Sequence, residues 1–469
     1  TGAPPLPAST VMRAMAFLQS GRPDEAERIA APVAALPGPG EPGAARFILA
    51  RAAARQGRID EAVTRYRQVS RERPVVPGLT AIQQADLPDD AAYLAAWLPY
   101  DAGRFSEVAT GLRRFLRERP TARRAPDARW FLAWSLLRSG DRKAARAAFG
   151  ELASRETGQA RGAALYWLGR TDPGPGAAAS FQAAFTEVPG GWYGLLAAAR
   201  LEALSLPTPP VDPLPPSALP DPPRDPRLSA SLALAVELAG TGLREESVTL
   251  LQRLSRSPDA RSQAVHLAEV AAFCGDAEVP YRMARDFIPP GLRAQRWSYP
   301  DALPDVLRPT ARALGVDPSL ALAVMRRESA FISSARSGAA AEGLLQLRPE
   351  TARRMGSVAG LPGDADLTDP AANVRLGIAY LGLLADRFPV PVQALAAYNA
   401  GPVAAEKWSR ARAGLPLDEW VEDIPYRETR QYVRAVLADR ARYRKLAGEP
   451  PVPIDPSAPV PPAGPGVAF

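Results

Sequence analysis

In "VMRRESAFISSARS", residues 324–337, a single carboxylate, Glu328, closes an apolar helical run. Helical steps back from it meet Met325, Val324 and Ala321, and one step forward meets Phe331. All four are apolar, so Glu328 continues the buried stripe of its own helix. Arg326 and Arg327 are one and two residues away, a spacing that points them elsewhere and makes them poor partners. A carboxyl on an apolar face resists ionisation, because burial disfavours the charged form. Such a group keeps its proton near neutral pH and can act as a general acid. An arginine from another helix would instead make it half of a structural ion pair, and the segment by itself leaves both readings open.

Composition removes most other chemistry. The chain has one histidine, His266, and one cysteine, Cys274. No intrachain disulfide can form, a Cys/His zinc site is excluded, and no metal or cofactor is expected. His266, in "QAVHLAEV", reads as a helix-face residue, and a Ser-His-Asp or Cys-His mechanism would have to rest on it alone. Carboxylate chemistry is the main option left. The net charge of +7 could attract an anionic polymer or surface. No nucleic-acid motif accompanies it, and no nucleic-acid partner is expected. No apolar stretch is long enough for a transmembrane helix. The chain begins "TGAPPLPAST", without methionine, and reads as a trimmed form, so the missing signal peptide says nothing about export. With no N-terminal lipobox cysteine, lipid anchoring is not expected in this form.

The elements that must position Glu328 are helices. Alanine and arginine abound while β-branched and aromatic residues are sparse, which favours a mainly α fold. "QSGRPDEAERI", "RQGRIDEAVTRY", "DAGRFSEVATGL" and "RSGDRKAARAAF" each place a glycine between two amphipathic runs. Gly21, Gly57, Gly103 and Gly140 are 36, 46 and 37 residues apart, the period of a helical-hairpin solenoid of tetratricopeptide type. Trp130, Trp134 and Trp167 read as core between repeats. The expected divisions are a solenoid over 1–204, a proline-rich connector over 205–227 and a helical linker domain over 228–290. A lysozyme-like α-rich domain with a small β element follows over 291–448, then a proline-rich, disordered tail over 449–469. Before Glu328, Asp317 fits an N-cap and Pro318 the first helical position. After it, small residues at 338–341 let the backbone run close to something. "RPETARRMG" then opens a new helix, with Pro349 in its first turn and Gly356 past its end.

"ESAF", then "S-x5-GLLQL-x-PETA", "DLTDPAANVRLGIAYLGLL", "ALAAYNAGP" and "IPYRETRQYVRAVL" occur in that order. This series resembles the catalytic domain of the soluble lytic transglycosylases, with its goose-type-lysozyme-like fold. The likeness is strong over 299–446 and looser before, where "WYGLLAAARL" (192–201) and "YPDALPDVL" (299–307) are similar to family segments. The resemblance implies a peptidoglycan-cleaving enzyme of the periplasm acting on glycan strands. It cuts the β-1,4 bond between N-acetylmuramic acid and N-acetylglucosamine without water and leaves a 1,6-anhydromuramoyl end. Glu328 falls on the position of the single catalytic acid/base. This would explain why no second acid stands out, although ordinary glycosidases need two.

By the same resemblance Ser337, Gln346 and Tyr398 match polar residues of the saccharide groove, and Asn399 and Gly401 shape the turn beside that tyrosine. Glu428 matches a supporting glutamate; it could equally pair with Arg427 or Arg430. Asn373, Leu376 and Tyr380 would hold the domain together. The chain departs from the family at Ala340-Ala341, where glycine-alanine is usual, and at Leu345 and Arg348, where methionine is usual. Arg348 would either face a peptide or lactyl carboxylate of the substrate or point to solvent. The solenoid is expected either to close a ring with the catalytic domain or to recruit protein partners. The rival functions are a hydrolytic muramidase of the same fold and a non-catalytic cell-wall-binding or scaffolding protein.

Overall fold

The computed structural model describes the chain except residues 1–6, 73, 173, 212, 216–222, 224 and 465–469, and, of 7–9, the backbone only. Twenty-four α-helices are found among the described residues. They divide into two compact units, Thr1–Glu187 and Val188–Phe469.

The first unit is a run of helical hairpins in which each helix packs on the next in sequence. The pairs Pro7–Gln19/Pro23–Ala34, Glu41–Arg55/Ile59–Glu72 and Ala125–Arg138/Arg142–Arg155 turn at Gly21, Gly57 and Gly140; Ala81–Trp97 and Phe105–Glu118 turn at Gly103. All four glycines have φ between +72° and +88°, a region in which a side chain is strained, so the glycine fixes where each first helix stops. A fifth pair, Gly158–Thr171/Gly176–Glu187, follows, and was not read as a repeat in the sequence. Trp134 and Trp167 are fully buried with ring centroids 4.7 Å apart, and the Trp134 indole N–H donates to the Tyr100 hydroxyl at 2.8 Å. Trp130 packs edge-on against Phe149. Trp134 and Trp167 are core, as expected, while Trp130 is only half-buried.

The second unit begins earlier than the sequence divisions place it. The Trp192–Ala203 helix, expected at the end of the solenoid, packs on the Arg427–Leu446 helix. Its buried polar groups need partners, and the partners lie there. The Tyr193 hydroxyl donates to Glu422, which also pairs with Arg434, and Arg200 meets the fully buried Asp418 at 2.8 Å. The described connector residues before Pro226 form neither helix nor strand; 212, 216–222 and 224 lie outside the described residues. Four helices between Pro226 and Asp286 then enclose a core of Leu232, Leu251, Leu267 and Met283, with Trp297 against it. His266 sits on one of these helices, half-buried.

From Pro304 onward proline starts helix after helix, at Pro304, Pro318, Pro349, Pro370, Pro391 and Pro402. Its missing N–H is no loss in the first turn, and its fixed φ suits a helix. Three expectations are corrected here. The small β element is reduced, among the described residues, to isolated bridges such as Arg336 with Glu342 and Glu342 with Leu347. The helix from Pro349 does not end before Gly356 but runs to Ala359. Gly356 lies inside it, packed close to the Leu361 carbonyl, and Gly360 at φ +66° makes the stop. The tail, expected to be disordered, is held in place over its described residues; 465–469 lie outside them. Gly414 and Leu417 donate to Val460 and Ala458 at 2.8 and 2.9 Å, Gln393 donates to Pro461 at 2.7 Å, and Val460 is buried. Proline residues cannot donate, but carbonyls in such a segment still accept.

Candidate active site

Glu328 is the last residue of the Pro318–Glu328 helix, whose start is capped by Asp317 accepting from the Ser319 N–H at 2.9 Å. This helix packs antiparallel on Arg427–Leu446, and polar contacts along the seam fix the register. Asp317 meets Arg440 at 2.7 Å and Arg444 at 3.3 Å. Midway, Asp439 takes both Arg326, at 2.7 Å, and Arg327, at 2.6 Å, and accepts from the Tyr299 hydroxyl at 3.2 Å. The far end brings Glu328 beside Tyr432. The two arginines next to Glu328 in sequence are thus committed to another carboxylate, as helical spacing requires, and no ion pair to Glu328 is found among the described residues.

Burial pushes the Glu328 carboxyl up to about 7; the Tyr432 hydroxyl pulls it down and the Glu428 charge adds a further push upward. The Tyr432 hydroxyl is buried and faces that carboxyl outside standard hydrogen-bond geometry. Burial likewise raises Tyr398 and Tyr432 well above the ordinary phenol range, reinforced in both by Glu328. Tyr380, whose ring lies 5.3 Å from that of Tyr398, is pushed up to about 12 by burial. Around Glu328 there are therefore neutral phenols and, among the described residues, no cation paired with it, an environment that keeps a carboxyl protonated close to neutrality.

Beyond the helix, Ala330 and Phe331 take φ of +52° and +68°, which ends it sharply, and the Phe331 ring is buried against Tyr281. The 335–347 loop that follows is held from below by one residue. Buried Asn373 accepts from the Leu345 N–H at 2.8 Å and donates to the Glu342 and Leu367 carbonyls, both at 3.0 Å. Gly343, at φ +81°, is required there, since a Cβ would fall 2.1 Å from the Asn373 amide nitrogen. Tyr398 ties the same loop to its own helix by donating to the Leu345 carbonyl at 2.6 Å.

The residues singled out in the sequence separate into two groups. Glu328, Tyr398 and Glu428 come together as electrostatic neighbours. Glu428 is exposed; Arg430 is buried and donates to the Ile424 carbonyl at 2.8 Å. Ser337 and Gln346 brace the loop. The Ser337 hydroxyl accepts from Ala339 and Ala341 at 3.2 and 3.0 Å, and the Gln346 amide donates to Ala335 and Gly343 at 3.0 and 2.9 Å. The Ser337 O–H and the Gln346 side-chain carbonyl make no hydrogen bond among the described residues. Asn399, next to Tyr398 on the Pro391–Ala400 helix, accepts from Thr429 at 2.6 Å and so joins that helix to the one carrying Glu428. Arg348 is exposed, precedes the Pro349–Ala359 helix and has no ion pair among the described residues. Leu345 is fully buried against Gly377, so that departure lies in the core. Tyr432 was missed. Its signal was its spacing, one helical turn after Glu428 in "RETRQYV".

Residues 306–421 match the transglycosylase SLT domain family, 423–451 the soluble lytic transglycosylase helical domain, and 7–32, 43–68 and 126–151 the tetratricopeptide repeat. The chain is 35% identical over 158 residues to the soluble lytic murein transglycosylase of Escherichia coli (strain K12), a match covering 33% of this chain and 24% of that protein. Its fold is similar to an inactive mutant of the lytic transglycosylase Slt of Pseudomonas aeruginosa, with TM-score 0.60 and 24% identity over 95% of this chain and 74% of that one. It is also similar to the 70 kDa soluble lytic transglycosylase of Escherichia coli, with TM-score 0.55 and 20% identity over 95% of this chain and 73% of that one. The matched segment spans about a quarter of the length of the curated relatives.

Proposed function

We propose that the chain, whose residues 306–421 and 423–451 match the transglycosylase SLT domain and the soluble lytic transglycosylase helical domain, is a lytic transglycosylase that cleaves the bond between N-acetylmuramic acid and N-acetylglucosamine in peptidoglycan without water. Glu328 first gives its proton to the glycosidic oxygen as the bond from that oxygen to the anomeric carbon breaks. The resulting carboxylate then takes the proton of the muramoyl 6-hydroxyl as that oxygen closes on the anomeric carbon. The products are a free 4-hydroxyl and a 1,6-anhydro ring, and Glu328 ends protonated as it began.

One observation carries this reading: a half-buried carboxyl with no ion pair among the described residues, pushed up to about 7 by burial. A group that must give and then take a proton in one turnover works best when its pKa lies near the operating pH. No sugar-facing second carboxylate is needed, because the nucleophile belongs to the substrate. We place the catalytic domain at 291–448, with the serine O–H of Ser337, the carbonyl of Gln346 and the exposed Arg348 offered to the glycan or its substituents, and Tyr398, Asn399 and Glu428 supporting them. The reaction belongs in the periplasm, where the substrate lies.

The test uses purified sacculi and mass spectrometry of the released muropeptides. The parent chain is expected to release anhydro products, each one water lighter than a hydrolytic product, and Glu328→Gln is expected to release none above background. Anhydro products from Glu328→Gln at the parent rate would remove Glu328 from the mechanism, and reducing-end products from the parent chain would make the enzyme a hydrolase.

A further inference from the structure

The two units differ in charge. Thr1–Glu187 holds 26 Lys and Arg against 19 Asp and Glu, whereas Val188–Phe469 holds 31 of each. The whole net charge of +7 therefore sits on the helical-hairpin unit. Nothing in the proposed chemistry uses it.

Within that unit the excess is organised. Two clefts open on either side of the Phe105–Glu118 helix. The first, toward Ile59–Glu72, has a floor of Ala92, Ala96 and Gly111 and is lined by Arg67, Arg71, Arg114 and Arg119. Gly111 lets the backbone approach closely, since a Cβ there would lie 3.1 Å from Ala96. The second, toward Arg142–Arg155, has Leu116, Leu132 and Ala148 at its base and Arg113, Arg117, Arg129 and Arg155 around it. The glutamates nearby are already engaged: Glu72 by Arg46, Glu118 by Arg114, and Glu151 by Arg155. Arg67, Arg71, Arg113 and Arg117 are exposed and form no ion pair among the described residues, although the Arg117 charge reaches Glu118. They also form two like-charged pairs at i, i+4, an arrangement that is mildly destabilising in a helix with no anion between the pair. Such pairs on successive hairpins, over small-residue floors, form a repeated site for carboxylates, which arginine grips in bidentate fashion.

We propose that these two arginine-lined clefts bind the carboxylate-bearing peptide stems of peptidoglycan, holding the polymer on the hairpin unit independently of cleavage. This rests on peptidoglycan being the substrate. That substrate is a polymer with acidic groups repeated along it, and so matches a surface with cationic sites repeated along it. Charge complementarity of this kind gives fast, salt-sensitive capture.

The experiment uses the full chain carrying Glu328→Gln, so that substrate is not consumed, with or without Arg67→Ala, Arg71→Ala, Arg113→Ala and Arg117→Ala together. Alanine is a strong helix former at exposed positions, and the change relieves both like-charged pairs, so the variant should fold. Retention is measured by co-sedimentation with intact sacculi and with sacculi stripped of stem peptides by an amidase. The four-fold variant is expected to lose retention on intact sacculi by about tenfold at low ionic strength, with the difference vanishing near about 0.5 M salt. On stripped glycan it should match its parent. Equal loss on both substrates overturns the proposal, as does unchanged retention on intact sacculi, whatever the variant does to binding of an acidic polypeptide such as polyglutamate. The two readings fail separately: unchanged retention leaves anhydro product release by the parent chain untouched, while arginine-dependent retention without such products would sink the enzymatic reading alone.

Discussion

The unusual state of Glu328 can be measured without substrate, as a dependence of stability on pH. In the unfolded chain the carboxyl ionises near 4.5; in the folded protein burial pushes it up to about 7. Between those values the folded state binds more protons than the unfolded state, so stability falls as pH rises through the window. Below it the side chain is neutral in both states and costs nothing. Above it the full penalty applies. Each pH unit between the two values is worth about 1.4 kcal/mol, so at pH 8 the ionised group costs the fold about 3 kcal/mol. Glu328→Gln keeps the shape, removes the charge and so removes this penalty. The variant should gain about 3 kcal/mol over the parent at pH 8 and almost nothing at pH 4.5. For a unit of this size that is a rise in Tm of roughly 5 °C at the higher pH only. Calorimetry at the two pH values, following the transition that responds to the substitution, reads it directly. A gain of equal size at both values would mean that the charge is not the cause. A loss at pH 8 would mean that Glu328 has a stabilising partner when ionised, and the case for a proton-holding acid would fall with it.

Two further substitutions test how the loop beside the acid is held. Asn373→Ala removes one acceptor and two donors at once and leaves the Leu345 N–H and the Glu342 and Leu367 carbonyls without their partner. Equilibrium unfolding should show a loss of about 3 kcal/mol, with sacculus cleavage falling further than stability alone explains, because Ser337 and Gln346 ride on that loop. Ala340→Gly should act the other way: Ala340 is exposed at φ +58°, and glycine there should stabilise by about 0.5–1 kcal/mol, seen as a higher midpoint in denaturant at unchanged slope. This is also the position where the family usually has glycine.

What was legible in the sequence was local. Helical period placed Arg326 and Arg327 away from Glu328, and they are indeed elsewhere. Glycines in four turns marked four hairpins, and Asp317 with Pro318 marked a helix start. What was illegible was long-range. Nothing near Arg326 names Asp439 as its partner 113 residues on, and nothing in "GLLQL" says that Asn373 will bond the backbone on either side of it. The polar residues matched to a sugar groove have a second task within the protein. Two of them, Ser337 and Gln346, first satisfy their own loop, because a tight turn leaves backbone groups that only a nearby polar side chain can reach. The tail was misread for the opposite reason. Its proline content argues against regular structure, which it lacks, but not against docking through its carbonyls and Val460.

The pairing at Asp439 bears on how an unpaired acid is kept at Glu328. A lone carboxyl on an apolar face would swing toward any arginine within reach, and two lie next to it in sequence. Asp439 is buried and takes both of them, while Arg326 is further fixed by its contact with the Ser298 carbonyl at 2.9 Å and by the Tyr299 ring 4.4 Å away. Breaking a buried pair on one side typically costs about 3–5 kcal/mol, so neither arginine is free to move to Glu328. The contacts that pin the two helices together in the middle of their seam are thus also the contacts that keep both arginines from pairing with the acid at its far end, and the acid's raised pKa follows from the packing as much as from its immediate neighbours.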